Sequence, residues 1–273
     1  MLAQFAVLLG IAGLLIVGMF VYPRWRVRRA VHKAFPLAYS AILRRDFPQY
    51  RHLAPDLQWQ LKKRIQQFLF EKTFVGCAGL EVTDQMRVLI AARACMLLLN
   101  RETEVYPGLS HILIYPSVFV VPREFRTEDG LTVESRQVLS GESWSDGRVL
   151  LAWDQVMPPE GQMPGHDVVM HEFAHQLDGE DGVVDGAPDL GSQQRYQVWS
   201  RVMRDCYRRH AHMLARGEHS TIDAYGQTNA AEFFAVSTET FFTNPHGLSM
   251  EFPDLFRLLR QFYHVDPREW AGF

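Results

Sequence analysis

The chain has 273 residues and a formal net charge of −3. That length suffices for one sizeable core plus an appendage, and the near-balanced charge excludes a basic field that would draw nucleic acid. Three scattered cysteines, Cys77, Cys95 and Cys206, offer no C-x-x-C pair and an odd total. They exclude a disulfide framework and fit a reducing compartment.

The first stretch, "MLAQFAVLLGIAGLLIVGMFVY" from Met1 to Tyr22, carries no charged side chain. About 20 apolar residues are enough to cross a bilayer as a helix. "PRWRVRRAVHK" follows, with Arg24, Arg26, Arg28, Arg29 and Lys33 on one side only of the apolar run. A cleaved signal peptide would want a basic start, a shorter apolar region and a small-residue cleavage site. The pattern predicts a transmembrane anchor over residues 1–22, a basic juxtamembrane linker over 23–35 and a globular domain over 36–273. By the positive-inside rule the protein would be single-pass in the inner membrane, N-terminus outside, with its domain in the cytoplasm.

Beyond the linker, "DLQWQLKKRIQQFLFEK" puts Leu57, Leu61, Ile65, Phe68 and Leu69 on one helical stripe. "TDQMRVLIAARACMLLLNR" is apolar nearly all round and opens on Thr83, a good N-cap, so it belongs inside the domain. "HILIYPSVFVVP" reads as strand, with Pro116 favouring an edge or a bend. A turn then leads into a short strand, Arg148 to Trp153, on which an extended peptide could pair as on an edge. Helical periodicity returns in "RYQVWSRVMRDCYRRHAHML", "NAAEFFAVSTETFF" and "EFPDLFRLLRQFY". With no internal repeat or low-complexity tract, the expected fold is one α+β domain with a short edge-stranded sheet behind the anchor.

"HDVVMHEFAHQLD" carries the chemistry. On a helix His171 and His175 lie about 40° apart on one face, near enough for both rings to reach one ion. Glu172 sits about 100° round from His171, while Met170, Phe173, Ala174 and Leu177 fall on the far side and can pack. H-E-x-x-H is the zinc signature of metalloproteases, with the glutamate as general base. Asp178, three residues after His175, can reach that ring's outer nitrogen, and Gly179 can end the helix.

A catalytic zinc needs a third protein ligand and an open position. Downstream, "STIDAYGQTNAAEFFAVSTETFF" offers Glu232 and Glu239, two turns apart on the same face. Glu232 could equally close a capping box with Asn229, and Glu239 could lie on a solvated face. Spacing alone leaves both carboxylates open. The acidic loop "DGEDGVVDGAPD" lacks the order of an EF-hand. His166, His210, His212 and His264 lack ligand spacing.

The pieces "FVGCAGLEVTDQMRVLIAARAC", "HDVVMHEFAHQLDG" and "DAYGQTNAAEFFAVSTETFF" resemble the Mlc titration factor A family of bacterial zinc peptidases, over roughly residues 40 to 265. The family's catalytic domain is similar to that of anthrax lethal factor, a gluzincin with a His, His, Glu zinc site. In that pattern a tyrosine precedes the glutamate ligand by seven residues, as Tyr225 precedes Glu232 here. The resemblance implies a zincin-like fold with one catalytic zinc ion on His171, His175 and Glu232. It also implies Glu172 as base, Tyr225 as transition-state stabiliser, and a peptide or protein as substrate. A transcriptional repressor as partner comes with it, and the expected activity is that of a membrane-tethered zinc aminopeptidase or short-peptide endopeptidase facing the cytosol. The rival expectation is an interaction protein that sequesters such a regulator, with incidental peptidase chemistry.

Overall fold

A computed structural model describes residues 4–5, 13, 16–126, 132–139, 141–144, 147–157 and 166–271. Helices make up most of it. In chain order the elements are α1 (Tyr22–Val31), α2 (Leu37–Asp46), α3 (Pro48–His52), α4 (Pro55–Glu71), β1 (Thr73–Gly76), α5 (Asp84–Met96), β2 (His111–Tyr115), β3 (Phe119–Arg126) and β4 (Thr132–Leu139). There follow β5 (Gly141–Trp144), β6 (Arg148–Ala152), α6 (Trp153–Val156), α7 (Val168–Asp178), α8 (Gln193–Ala215), α9 (Ala230–Thr243), α10 (Pro245–Glu251) and α11 (Pro253–Tyr263).

The expected transmembrane helix is overturned. Among the described residues no helix is long and apolar enough to cross a membrane, and the single-pass inner-membrane location goes with it. Most of residues 1–15 lie outside the described residues; Val17–Val21 is a single π-helical turn running into α1. The basic run that charge asymmetry reads as a topological signal is itself helical and docked. Arg26 stacks on Phe70 of α4 at 5.4 Å, and Lys63 donates to the Val31 carbonyl at 2.5 Å.

The α+β expectation with an edge-stranded sheet is corrected too. The fold is mostly helical around a small sheet of order β1-β2-β6-β5, in which β1, β2 and β6 are parallel and β5 is antiparallel. Parallel neighbours need a crossover, and α5 lies on the connection from β1 to β2. Sequence reading passed over β1, whose four residues are too few for a periodic signal. The strand expected near Pro116 is central, since β2 ends at Tyr115 before the proline. Likewise β6 lies between β2 and β5, and the cleft-side edge belongs to β5. A separate two-stranded ribbon pairs β3 with β4 in antiparallel register from Phe119↔Leu139 to Arg126↔Thr132.

Ile112, Ile114, Val149 and Leu151 face the main core, while Leu113, Tyr115, Leu150 and Ala152 form a small cluster on the other face. The stripe of α4 is buried at Leu57, Leu61, Ile65 and Phe68, and α5 is buried nearly all round from Met86 to Met96. Thr83 caps α5 by accepting from the Met86 N–H at 3.3 Å. This core is the bed on which α7 lies. Phe173 packs edge-on against Tyr106 at 4.7 Å and tilts on Phe68 at 5.6 Å, and Val169, Met170, Ala174 and Leu177 are buried beside it.

Candidate metal centre

Local sequence fixes both ends of α7. Asp167 accepts from the Met170 N–H at 3.0 Å, closing the first turn, and its second oxygen accepts from Arg93 of α5 at 3.0 Å. An anchored N-cap sets the rotation of the helix as well as its start. The helix ends at Asp178, as the glycine after it suggests, but Gly179 has φ −85° and the left-handed residue is Gly182.

With the apolar back of α7 buried, His171 and His175 face a cleft of about 760 Å³, lined also by Gly141, Ser143, Gln176, Tyr225 and Glu232. The two Nε2 atoms are 3.2 Å apart. The Glu232 carboxylate lies 3.0 Å from the first and 3.3 Å from the second. Those three separations fit one small ion. Ligands at about 2.0–2.1 Å in a tetrahedron stand about 3.3 Å from one another, and two imidazoles with a carboxylate form a donor set suited to zinc. His171, His175 and Glu232 are, among the described residues, the group that could hold a metal ion.

Of the two sequence readings of Glu232, the structure carries the cleft-facing one, and the cap at this turn is made by Asn229. The Glu232 backbone N–H donates to the Asn229 side chain at 2.9 Å, so Asn229 caps α9. Its carboxylate turns into the cleft, where burial opposes ionisation but the two imidazoles outweigh it and bring the pKa down to about 2.

Glu239 does not lie on the solvated face that was one of its sequence readings. It is buried, with its side chain only 4% exposed. It stands behind the site, 2.5 Å from His171 Nδ1 on the side away from Glu232. Its other oxygen accepts from the Asp167 N–H at 3.2 Å. Burial favours the neutral acid, yet His166 and His171 hold its pKa below the usual carboxylate range. Burial pulls the other way on His171, but Glu232 and Glu239 raise its pKa well above the usual imidazole value. The signal was available in the sequence: "AVSTETFF" sets one carboxylate in an apolar helix, and a buried charge requires a partner.

Glu172 is 5% exposed, and burial raises its pKa to about 7 despite the two histidines. Gly141 of β5 lies against it; a Cβ there would come within 2.6 Å of Glu172 Oε1. Tyr225 is 46% exposed at the cleft wall, its ring 6.0 Å from that of His171. Its loop is well anchored. Asp223 accepts from the Tyr225 N–H at 2.8 Å, buried His210 of α8 reaches the Asp223 carbonyl at 3.2 Å, and Glu251 of α10 accepts from the Thr221 N–H at 3.1 Å.

Asp178 does not meet the expectation that it reaches the His175 ring. Both of its oxygens accept from the Gly186 N–H, at 3.0 and 2.8 Å, and burial raises its pKa to about 6. Gly186 has φ +83°, its carbonyl accepts from Trp199 Nε1 at 2.8 Å, and it leaves no room for a Cβ against the Ala230 carbonyl. Asp178 therefore ties the acidic loop to the start of α9, the helix that carries Glu232. The motif's neighbour supports the ligand helix rather than the ligand ring.

The sequence profile of the glucose-regulated metallo-peptidase M90 family matches residues 22–264. An uncharacterized protein of Synechocystis sp. is 39% identical over 252 residues, which are 90% of this chain and 91% of that one. The protein called Mlc titration factor A in Klebsiella pneumoniae is 33% identical over 228 residues, 81% of this chain and 83% of its own. One so called in Escherichia coli is 31% identical over 252 residues, 89% of this chain and 91% of its own.

Proposed function

Since the chain belongs to the glucose-regulated metallo-peptidase M90 family, we propose that it is a zinc-dependent peptidase of the His, His, Glu type. His171, His175 and Glu232 are the proposed ligands, and the observation that carries the reading is the 3.0–3.3 Å triangle of their donor atoms. The substrate is a peptide, cut by an aminopeptidase or short-peptide endopeptidase reaction. When bound, the ion supplies a Lewis acid for the scissile carbonyl and an acidified water with a pKa of about 7.

The chain's own residues do the rest. Glu172, buried beside the two histidines, takes the proton of the attacking water and delivers it to the leaving amine. Tyr225 is the proposed donor to the developing oxyanion, where a hydrogen bond contributes most as charge appears. Glu239 keeps His171 in the tautomer whose Nε2 lone pair faces the cleft, by occupying Nδ1.

The shared identity with proteins named Mlc titration factor A supports a second reading. In it the chain binds a transcriptional repressor, with weak or incidental peptidase activity. Glu172→Gln separates the two: it is expected to keep the metal and the fold while lowering turnover at least about 100-fold, the low end for acid–base catalysis. Peptide hydrolysis at the parent rate would reject Glu172 as the base. A loss of repressor binding in step with turnover would mean that binding depends on the same chemistry.

A further inference from the structure

Strand β5 meets the active-site helix at two points, and the pair has a regular spacing. Gly141 lies over Glu172, and Ser143 Oγ accepts from Gln176 Nε2 at 2.6 Å. On the strand these are residues i and i+2, on one face, about 6.7 Å apart. On the helix they are residues i and i+4, also on one face, about 6 Å apart. The two advances nearly match, so β5 runs along α7 in step with it. Each contact is local, but together they fix the sliding position of the strand relative to the helix that carries both histidines.

That position matters because of where β5 sits. It pairs with β6 alone in the sheet, in register from Gly141↔Leu151 to Trp144↔Arg148, so its second edge is open among the described residues. Gly141, Ser143 and Gln176 all line the cleft. An extended peptide added to an open strand edge takes its register from that strand's backbone. Slippage by one residue would exchange the peptide's two faces and move its carbonyls by about 3.3 Å relative to the base.

We propose that the Ser143–Gln176 hydrogen bond, together with the close Gly141–Glu172 contact, is a register latch that sets which peptide bond on the β5 edge meets the catalytic carboxylate. Ser143 and Gln176 are thus positioning residues for a bound chain. Gly141 is glycine because the strand must approach Glu172 more closely than any side chain permits.

The inference rests on the peptidase reading, and its test is chosen to keep the two apart. The probe is a proteome-derived peptide mixture, with cleavage sites and rates read by mass spectrometry and the best-cut peptide then assayed singly. Ser143→Ala and Gln176→Leu are expected to raise KM for that peptide about five- to tenfold, the size of one hydrogen bond's net contribution. They should also spread cleavage to neighbouring bonds, with kcat changed less than twofold and metal content unaltered. Ser143→Thr, which keeps the hydroxyl, should restore the parent KM and cleavage position. A single unshifted cleavage site with an unchanged KM in both variants would overturn the latch, and so would an equal fall in kcat and metal content, which marks a merely structural contact. A parent that cuts no peptide would remove the peptidase reading and the latch together.

Discussion

Helices α7 and α9 face each other across the cleft, and each brings polar residues to it, yet they use their spacing differently. On α7 the two histidines four apart do the same job, with both Nε2 atoms aimed at one point. On α9 the two glutamates seven apart do opposite jobs. Glu232 meets the Nε2 atoms from the cleft, and Glu239 meets Nδ1 of His171 from behind. Helical spacing decides which residues share a face, but not which side of a partner's ring that face reaches. The crossing of the two helices decides that: the first turn of α9 opens on the cleft, while the next two turns sink beneath α7 and bury Glu239.

The comparison is broken most severely at Glu232. Glu232→Ala removes one vertex of the donor triangle, leaving two imidazoles for an ion that structural and catalytic sites hold with at least three protein ligands. The purified variant is expected to lose its metal to a micromolar chelator that the parent resists, as read by elemental analysis. Stoichiometric metal in the variant would place the third ligand elsewhere.

Next in size is a change on the opposite wall. A Cβ at Gly141 would stand 2.6 Å from Glu172 Oε1 and 2.7 Å from its Cγ, so the carboxylate must move. Gly141→Ala is expected to lower kcat about 100-fold, the scale for misplacing a reacting group by roughly 1 Å, with metal content unchanged. A variant with the parent kcat would show that Glu172 relaxes freely, and the close approach would then have no catalytic meaning.

These two sites differ in how much of them could be read from the chain. The α7 face was legible because its pattern is local: His171, Glu172 and His175 need only a helix, and the apolar back face supplies the reason for it. The caps Thr83 and Asn229 were legible for the same reason, each accepting from the N–H three residues on. What failed was non-local. Asp178 was expected at the nearest ring, but a glycine eight residues later needed its oxygens more. The first apolar stretch reads as an anchor from its hydropathy and the one-sided basic run after it, whereas those arginines lie in a helix docked on α4. The edge strand was misassigned because β1 and β5, at four residues each, give too little pattern to order a sheet.

A milder change sharpens the contrast within α9. Glu239→Gln keeps one acceptor for His171 but removes a charge that helps raise that ring's pKa. In the parent, metal binding must displace a proton whose hold on His171 is strengthened by Glu232 and Glu239, after burial is overcome. Affinity should therefore rise with pH between 6 and 8, by up to about tenfold per unit for one displaced proton. Glu239→Gln is expected to weaken binding at pH 8 by about 10- to 100-fold, the range for loss of a carboxylate behind a ligating histidine. Its pH dependence should be flatter, because the proton it competes with is held less tightly. Chelator competition across that range measures both, and a variant matching the parent in slope and affinity would reduce Glu239 to packing.

The smallest effect separates support of the helix from possession of the metal. Asn229 accepts from the Glu232 N–H at 2.9 Å and so closes the first turn of α9, while the Glu232 side chain points to the histidines. Asn229→Ala deletes the cap and leaves the carboxylate. The cost should be about 1 kcal/mol of stability, the usual price of an N-cap, seen as a lower urea midpoint at unchanged slope. Metal should remain stoichiometric, because the three donor atoms are untouched and α9 is also held from outside its first turn. Ala230 abuts Gly186, which Asp178 and Trp199 pin in place, and Phe233 packs edge-on against Tyr207 at 5.4 Å. If Asn229→Ala instead loses metal as readily as Glu232→Ala does, the cap and the ligand are a single unit, and the first turn of α9 exists only as far as Asn229 holds it.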